Sequence, residues 1–193
     1  MTNPQHDGAQ VSINHVTHRY SGSFIAVSDV SATLGGHHVT GLLGANGAGK
    51  STLMNIICGV LTPTEGDVAI NGYSILKSPV EAKRHIGFLP QKPPLLPDLT
   101  VEEYLRYAAE LRLVDNIGKA VDEAISRCGL EKFRKRLIKH LSGGYQQRAG
   151  IAQAIIHKPS CIVLDEPTNG LDPIQIVEIR HLIHDIAEDC LVL

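Results

Sequence analysis

Apolar and polar residues alternate from Val11 to Tyr20 and again from Ala26 to Leu34, the pattern of strands with one buried face. Gly35-Gly36 marks the turn that ends the second. His38 to Leu43 reads as a short apolar strand running into a glycine-rich loop. The period then changes: between Lys50 and Val60, Leu53, Ile56, Ile57 and Val60 share one helical face, until Pro63 and Gly66 break it. Asp67 to Ile70 followed by Asn71-Gly72 predicts a hairpin. Ile86 to Leu89 is a further strand, leading into Gln91 and a proline-rich loop.

Beyond Lys92 the pattern becomes helical. Thr100 and Glu103 have capping-box spacing, and Val101, Tyr104, Leu105, Ala108 and Leu111 line one face. A second amphipathic stretch carries Val121, Ala124, Ile125 and Cys128. Residues 92–141 are therefore expected to form a helical insertion. Its basic run, Lys132 to Lys139, reads as a solvated face, with a partner contact as the alternative. A helix opens at Ser142 and ends at Pro159, and Cys161 to Leu164 is an apolar strand. Asp172 and Pro173 open a helix with a stripe of Ile176, Ile179, Ile183 and Ile186, and Leu191 to Leu193 begins one more strand. Strands and helices in alternation favour a largely parallel α/β core.

The glycine-rich loop carries chemistry. Gly44-Ala45-Asn46-Gly47-Ala48-Gly49-Lys50-Ser51-Thr52 satisfies G-x-x-x-x-G-K-[ST], the phosphate-binding loop. Its glycines allow a nest of inward-pointing N–H groups, and the following helix adds its positive end. Lys50 is placed to reach the β- and γ-phosphates, and Ser51 to offer a hydroxyl to Mg²⁺. Residue usage alone yields this pattern in roughly 1% of chains of this length. Here it also sits between a strand and a helix, as the chemistry requires. The strand Cys161 to Leu164 delivers Asp165 and Glu166 at its C-terminal end, where α/β ligands bind. Asp165 is the candidate metal ligand and Glu166 the candidate to orient or deprotonate the attacking water. Leu141-Ser142-Gly143-Gly144-Tyr145-Gln146-Gln147-Arg148 opens a helix with a serine and two glycines, a possible second anion site at a helix N-terminus or simply a loop-to-helix junction.

Taken together, these motifs resemble the nucleotide-binding domain of ABC transporters, over the span from about Val11 to Leu193. Gly44 to Thr52 matches that family's Walker A motif, Ile162 to Glu166 its Walker B motif, and Leu141 to Gly144 its signature. Gln91 stands at the Q-loop glutamine, which implies a place near the metal and the reacting phosphate. Asn169-Gly170-Leu171-Asp172 resembles the D-loop. Tyr20 stands where the family has an aromatic that stacks on adenine. The implied fold is α/β: a P-loop NTPase core with a mainly parallel sheet, an N-terminal antiparallel β-subdomain and an inserted helical subdomain. The chain is then one domain, with 1–91 and 142–193 forming the ATP-binding core and 92–141 the helical signature subdomain. The implied mechanism sandwiches ATP and Mg²⁺ between two such domains, with Ser142 and Gly144 acting across the interface. The implied partners are a transmembrane permease subunit and a second nucleotide-binding domain, equal or homologous. The stretch Lys92 to Leu99 followed by Thr100-Val101-Glu102-Glu103 resembles export ATPases of the ABC-2 type.

Composition narrows this further. The 193 residues carry 18 Lys and Arg against 20 Asp and Glu, a formal net charge of −2, so no bulk attraction to nucleic acid follows. Met1 to Gln10 is polar, with no signal-peptide character, and no stretch has the length of a membrane span. The expected location is the cytoplasmic face of a membrane, held there by the partner. The 4 cysteines lack any CxxC pairing and read as buried, reduced thiols. His37-His38 has no further ligands at metal spacing and reads as a turn. The family's switch histidine follows the strand that begins near Leu191, and none of the 10 histidines stands there. A C-terminally shortened chain that binds ATP better than it turns it over is therefore expected. Two alternatives carry the same motifs: a soluble ABC-type ATPase acting on ribosomes or DNA, and a non-catalytic nucleotide-binding regulatory module. A GTPase is disfavoured because the guanine-reading Asn-Lys-x-Asp motif is absent.

Overall fold

The computed structural model describes residues 9–21 and 24–193, so most of the polar opening stretch Met1 to Gln10 lies outside the described residues. Two sheets form. Strands β1 (Gln10–Arg19), β2 (Ile25–Gly35), β3 (Glu65–Ile70) and β4 (Tyr73–Ser74) make an antiparallel sheet in the order β2-β1-β3-β4. Strands β5 (Ile86–Leu89), β6 (Cys161–Leu164) and β7 (Leu191–Val192) make a parallel sheet in that order. The β3–β4 turn is Asn71-Gly72, with φ of 50° and 83°, the two positive angles a tight hairpin of this twist requires.

Among the described residues six α-helices complete the architecture: α1 (Lys50–Ile57), α2 (Pro79–Arg84), α3 (Val101–Leu111), α4 (Ile117–Arg127), α5 (Gly143–Ile155) and α6 (Pro173–Ala187). All four residues of β6 are buried, as befits a strand covered on both faces. Cys161 and Val163 point into a core shared with Ile56 and Ile57 of α1 and with Val11 and Val68 of the antiparallel sheet. Ile162 and Leu164 point the other way, into a core built by α3, α4, α5 and α6. Close approach is achieved through glycine. A Cβ on Gly87 would lie 2.1 Å from the Ala154 carbonyl oxygen, which is how α5 rests directly on β5.

The capping box of α3 forms: Glu103 N–H donates to Thr100 Oγ1 at 3.3 Å, and Thr100 N–H donates to Glu103 Oε2 at 2.8 Å. Asp172 caps α6 by accepting from the N–H groups of Ile174 and Gln175. The basic run is tied down within the fold. Arg134 pairs with Glu102 and Asp122, Lys139 pairs with Asp98, and Arg136 lies over the Phe133 ring.

Several expectations need correction. The predicted strand His38 to Leu43 is reduced to a parallel bridge between Val39 and Val192, with Thr40 N–H donating to the Val192 carbonyl at 2.7 Å. Its partner β7 is two residues long, so the rest of the apolar run finds no ladder, and Leu43 is 92% exposed. Helix α1 stops at Ile57, and Gly59 turns the chain at φ 61°, leaving Val60 65% exposed rather than on the buried face. Leu111, at the last position of α3, is likewise 65% exposed. Ile176 is only partly buried, whereas Leu182 joins Ile179, Ile183 and Ile186 in the core. Helix α2, unforeseen, begins at a Ser78-Pro79 pair that presets its first turn. The four cysteines are all buried and unpaired, and burial raises their thiol pKa values, to about 12 for Cys128 and Cys161.

Candidate functional site

Three chain segments reach the same edge of the parallel sheet. β5 and β6 run in register, Leu89 beside Leu164, so Gln91 and Asp165-Glu166 emerge together at their C-terminal ends. The Val39 bridge runs parallel to β7, and beyond it the chain enters Gly44 to Gly49 at that edge as well. This is the crevice where open α/β sheets bind ligands.

The loop curls around its own lysine. Lys50 Nζ donates to the carbonyl oxygens of Gly44 at 2.9 Å and Ala45 at 2.8 Å, and Ala48 N–H donates back to Ala45 at 3.1 Å. Gly49, the N-cap of α1, has φ 86°, and a Cβ there would lie 2.1 Å from the Ala26 carbonyl oxygen of β2. Gly49 is therefore required twice, for its dihedral and for its contact. Asn46, Gly47, Ala48, Ser51 and Thr52 complete a loop that is mostly open to solvent. Tyr20, at the end of β1, stands over the start of α1: its hydroxyl lies 3.2 Å from Thr52 Oγ1, and its ring meets His18 edge-on at 4.7 Å. Aromatic position and phosphate loop are thus brought together.

Asp165 is buried, and its N–H donates to the Leu89 carbonyl at 2.9 Å, locking β6 to β5 where the carboxylate leaves the sheet. Glu166 is exposed, with its carboxylate accepting from Gln91 Nε2 at 2.7 Å. Ser51, Asp165 and Gln91 offer a hydroxyl, a carboxylate and an amide oxygen. That small, hard, all-oxygen set fits Mg²⁺, which keeps its other positions for water and phosphate. Among the described residues no cluster of three or more His, Cys, Asp or Glu could cage a metal by itself.

The signature segment lies at the N-terminus of α5. Ser142 is the N-cap in extended backbone, its side chain makes no capping bond, and it is exposed. The first N–H groups of α5 have no partner within the helix and carry its positive end. Gly144 is buried against α6: a Cβ would meet Gln175 Cδ at 2.7 Å. Two residues beyond the motif's recognised positions hold it in place. Gln146 Nε2 donates to the Leu141 carbonyl at 3.1 Å, and Arg148 donates to the Cys128 carbonyl and to Glu178, joining α5 to α4 and α6. Gly144 therefore faces Gln175 of α6.

A groove of about 880 Å³ opens between α2, β5, the end of α3 and the start of α4. Val60, Val80, Leu111 and Leu113 line it as exposed apolar residues. Arg112 donates to the carbonyls of Lys83 and Ile86 there, tying α3 to the core. Val60 and Leu111 are the two that were expected on buried helical faces.

A glycine loop closed around lysine, at the C-terminal edge of a parallel sheet whose neighbouring strands deliver Gln91 and the Asp165-Glu166 carboxylates, defines the P-loop NTPase fold. The profile of the ABC transporter family matches residues 27–169, and the chain belongs to that family as a nucleotide-binding domain. It is 40% identical over 151 residues to the bacitracin transport ATP-binding protein BcrA of Bacillus licheniformis, covering 78% of this chain and 49% of the relative. It is 38% identical over 165 residues to the lipopolysaccharide export system ATP-binding protein LptB of Haemophilus influenzae, covering 83% of this chain and 68% of the relative. The structure of cbiO1 from Clostridium perfringens, part of the ABC transporter complex cbiONQ, aligns with TM-score 0.82 and 28% identity over 94% of this chain and 76% of that one. The chain spans about half the length of the first two curated relatives it matches, 49% and 58%.

Proposed function

We propose that the chain binds ATP with Mg²⁺ and powers transport across a membrane through a separate permease subunit, with each nucleotide held between two nucleotide-binding domains. The observation that supports this is the convergence of Lys50 in its loop, buried Asp165 and the Gln91–Glu166 pair at one sheet edge. Lys50 now spends its ammonium on two loop carbonyls; phosphate oxygens are better partners for it and would draw it inward. The loop N–H groups and the α1 N-terminus cradle the same oxygens. Ser51 and Asp165, with Gln91, would hold Mg²⁺, which supplies charge neutralisation for an in-line displacement. Glu166 orients or deprotonates the attacking water. Tyr20 stacks on adenine. Ser142 and the Gly144 N–H complete the γ-phosphate site of the other copy. Catalysis is then positioning plus electrostatic stabilisation.

In this reading 1–91 and 142–193 act as the ATP-binding core and 92–141 as the helical subdomain. The apolar groove between them receives the permease. A relative named for lipopolysaccharide export favours an exporter. No helix of the described residues is long and apolar enough to cross a membrane, so the location at the cytoplasmic face depends on that partner. No nucleic-acid partner is proposed. Calorimetric titration with Mg·ATP tests the core of the proposal. The chain binds ATP, Lys50→Ala weakens binding at least tenfold, and Asp165→Asn removes the Mg²⁺ dependence. Failure of the unaltered chain to bind ATP, or indifference to both substitutions, refutes it.

A further inference from the structure

Glu166 is held from two directions. Gln91 Nε2 and Asn169 Nδ2 both donate to the same carboxylate oxygen, Oε2, at 2.7 Å and 3.0 Å. The other oxygen is left to accept from solvent. Asn169 N–H also donates to the Glu166 carbonyl at 3.0 Å, so backbone and side chain bind the same residue. Glu166 itself has φ 51°, a conformation that non-glycine residues avoid and that persists where surrounding contacts over-determine it. Asn169 supplies those contacts from three residues away, on the segment that leads to the Asp172 cap of α6.

We infer that Asn169 is a positioning residue for Glu166. With Gln91 it clamps the carboxylate in the nucleotide-free protein, and it keeps the carboxylate aimed when Gln91 turns to the metal. The catalytic half of this statement rests on the ATPase reading proposed above; the clamp does not. An amide is suited to the task because its NH₂ donates to a carboxylate. Aspartate at the same position has the same shape and carries only acceptors, so it would repel Glu166.

The test has two arms. In the first, the nucleotide-free chain is treated with a water-soluble carbodiimide and an amine, and labelling is mapped by peptide mass. The carboxylate is the nucleophile that adds to the carbodiimide carbon, so hydrogen bonds that draw off its negative charge slow the reaction. Loss of a hydrogen bond to a charged group predicts several-fold faster labelling of Glu166 in Asn169→Ala, and about tenfold in Asn169→Asp. Asn169→Ser, which keeps a donor, falls between Ala and the unaltered chain, and labelling of Asp172 reports that the segment is still folded. Equal labelling of Glu166 in all four proteins overturns the clamp. In the second arm, Mg·ATP affinity and single-turnover hydrolysis are measured on the same proteins. Affinity stays within about twofold while the rate falls in the order Asn, Ser, Ala, Asp, by about tenfold overall. A packing role would spare the isosteric Asn169→Asp, so an unaltered rate in that variant overturns the positioning role. Absence of ATP binding in the unaltered chain would instead refute the ATPase reading, and the labelling arm then decides the clamp alone.

Discussion

Gly49→Ala is the substitution whose cost the structure defines most closely. The residue sits at φ 86° and ψ 9°, the left-handed region, where a Cβ costs about 1–2 kcal/mol. The added methyl would lie 2.1 Å from the Ala26 carbonyl oxygen, over 1 Å short of the ~3.3 Å at which carbon and carbonyl oxygen ordinarily meet. Both atoms belong to backbone, so no side chain can rotate aside; either the loop or β2 must shift, at about 1–3 kcal/mol. The stiffer unfolded chain returns about 0.4–1 kcal/mol. The net loss is roughly 2–4 kcal/mol, a fall in Tm of about 5–15 °C for a chain of this size. Gly47→Ala is the control. It has φ 81° but nothing within 4 Å of a Cβ, so it carries only the dihedral cost and shifts Tm by a few degrees. Thermal unfolding followed by circular dichroism, with Mg·ATP titration alongside, separates the two. Gly49→Ala also displaces the loop that carries Lys50, and a shift of about 1 Å is enough to weaken ligand positioning tenfold or more. If Gly49→Ala and Gly47→Ala unfold within 2 °C of each other and bind ATP equally, the proposed backbone clash is wrong.

Other perturbations act on other parts of the molecule. Tyr20→Ala should weaken ATP binding about tenfold through lost stacking, while Tyr20→Phe, which gives up only the Thr52 contact, should stay within about threefold; equilibrium binding of a fluorescent ATP analogue distinguishes them. His157 donates to the Ile86 carbonyl at 3.1 Å, and its pKa is pushed down to about 4, first by burial and second by the Arg112 cation. The unfolded ring gains a proton below about pH 6.5 and the folded one only near pH 4, so its contribution is full above that window and lost as pH falls through it, by roughly 2–3 kcal/mol. Urea midpoints at pH 7 and pH 5 should diverge, and His157→Gln should bring them together. Asp98, Glu103 and Glu123, held low mainly by their hydrogen-bond partners, keep their contribution at both pH values and lose it only as pH falls through the carboxylate range. Leu111→Asp with Leu113→Asp should leave ATP binding intact and abolish co-purification with the proposed permease subunit.

Features set by local chemistry were legible in the residues themselves. The capping box at Thr100, the positive-φ pair Asn71-Gly72, the Asp172 cap and the lysine-bearing glycine loop each announce a backbone geometry that few other residues accept. Strand His38 to Leu43 was misread because an apolar run does not reveal the length of its pairing partner, here the two residues of β7. Val60 and Leu111 fit the helical period but fall where the helices end, beside Gly59 and beside Leu113 at φ 55°. The site's closest contacts join distant positions: Gln91 and Glu166 are 75 residues apart, Tyr20 and Thr52 are 32. Periodicity carries no information about such pairs. Arg148 and Arg112, which tie helices together through backbone carbonyls, leave no local signal either.

If the loop at Gly44 to Thr52 is half of a nucleotide site, Ser142 and Gly144 of a second copy belong to the other half. Sedimentation of the Glu166→Gln chain with Mg·ATP tests it most directly, since loss of the carboxylate slows turnover and lets any sandwich accumulate. The expected species is a dimer holding two nucleotides, returned to monomer by Ser142→Glu, which places a like charge where the γ-phosphate of the other copy would lie. A monomer that saturates with ATP, unaffected by Ser142→Glu, would contradict it.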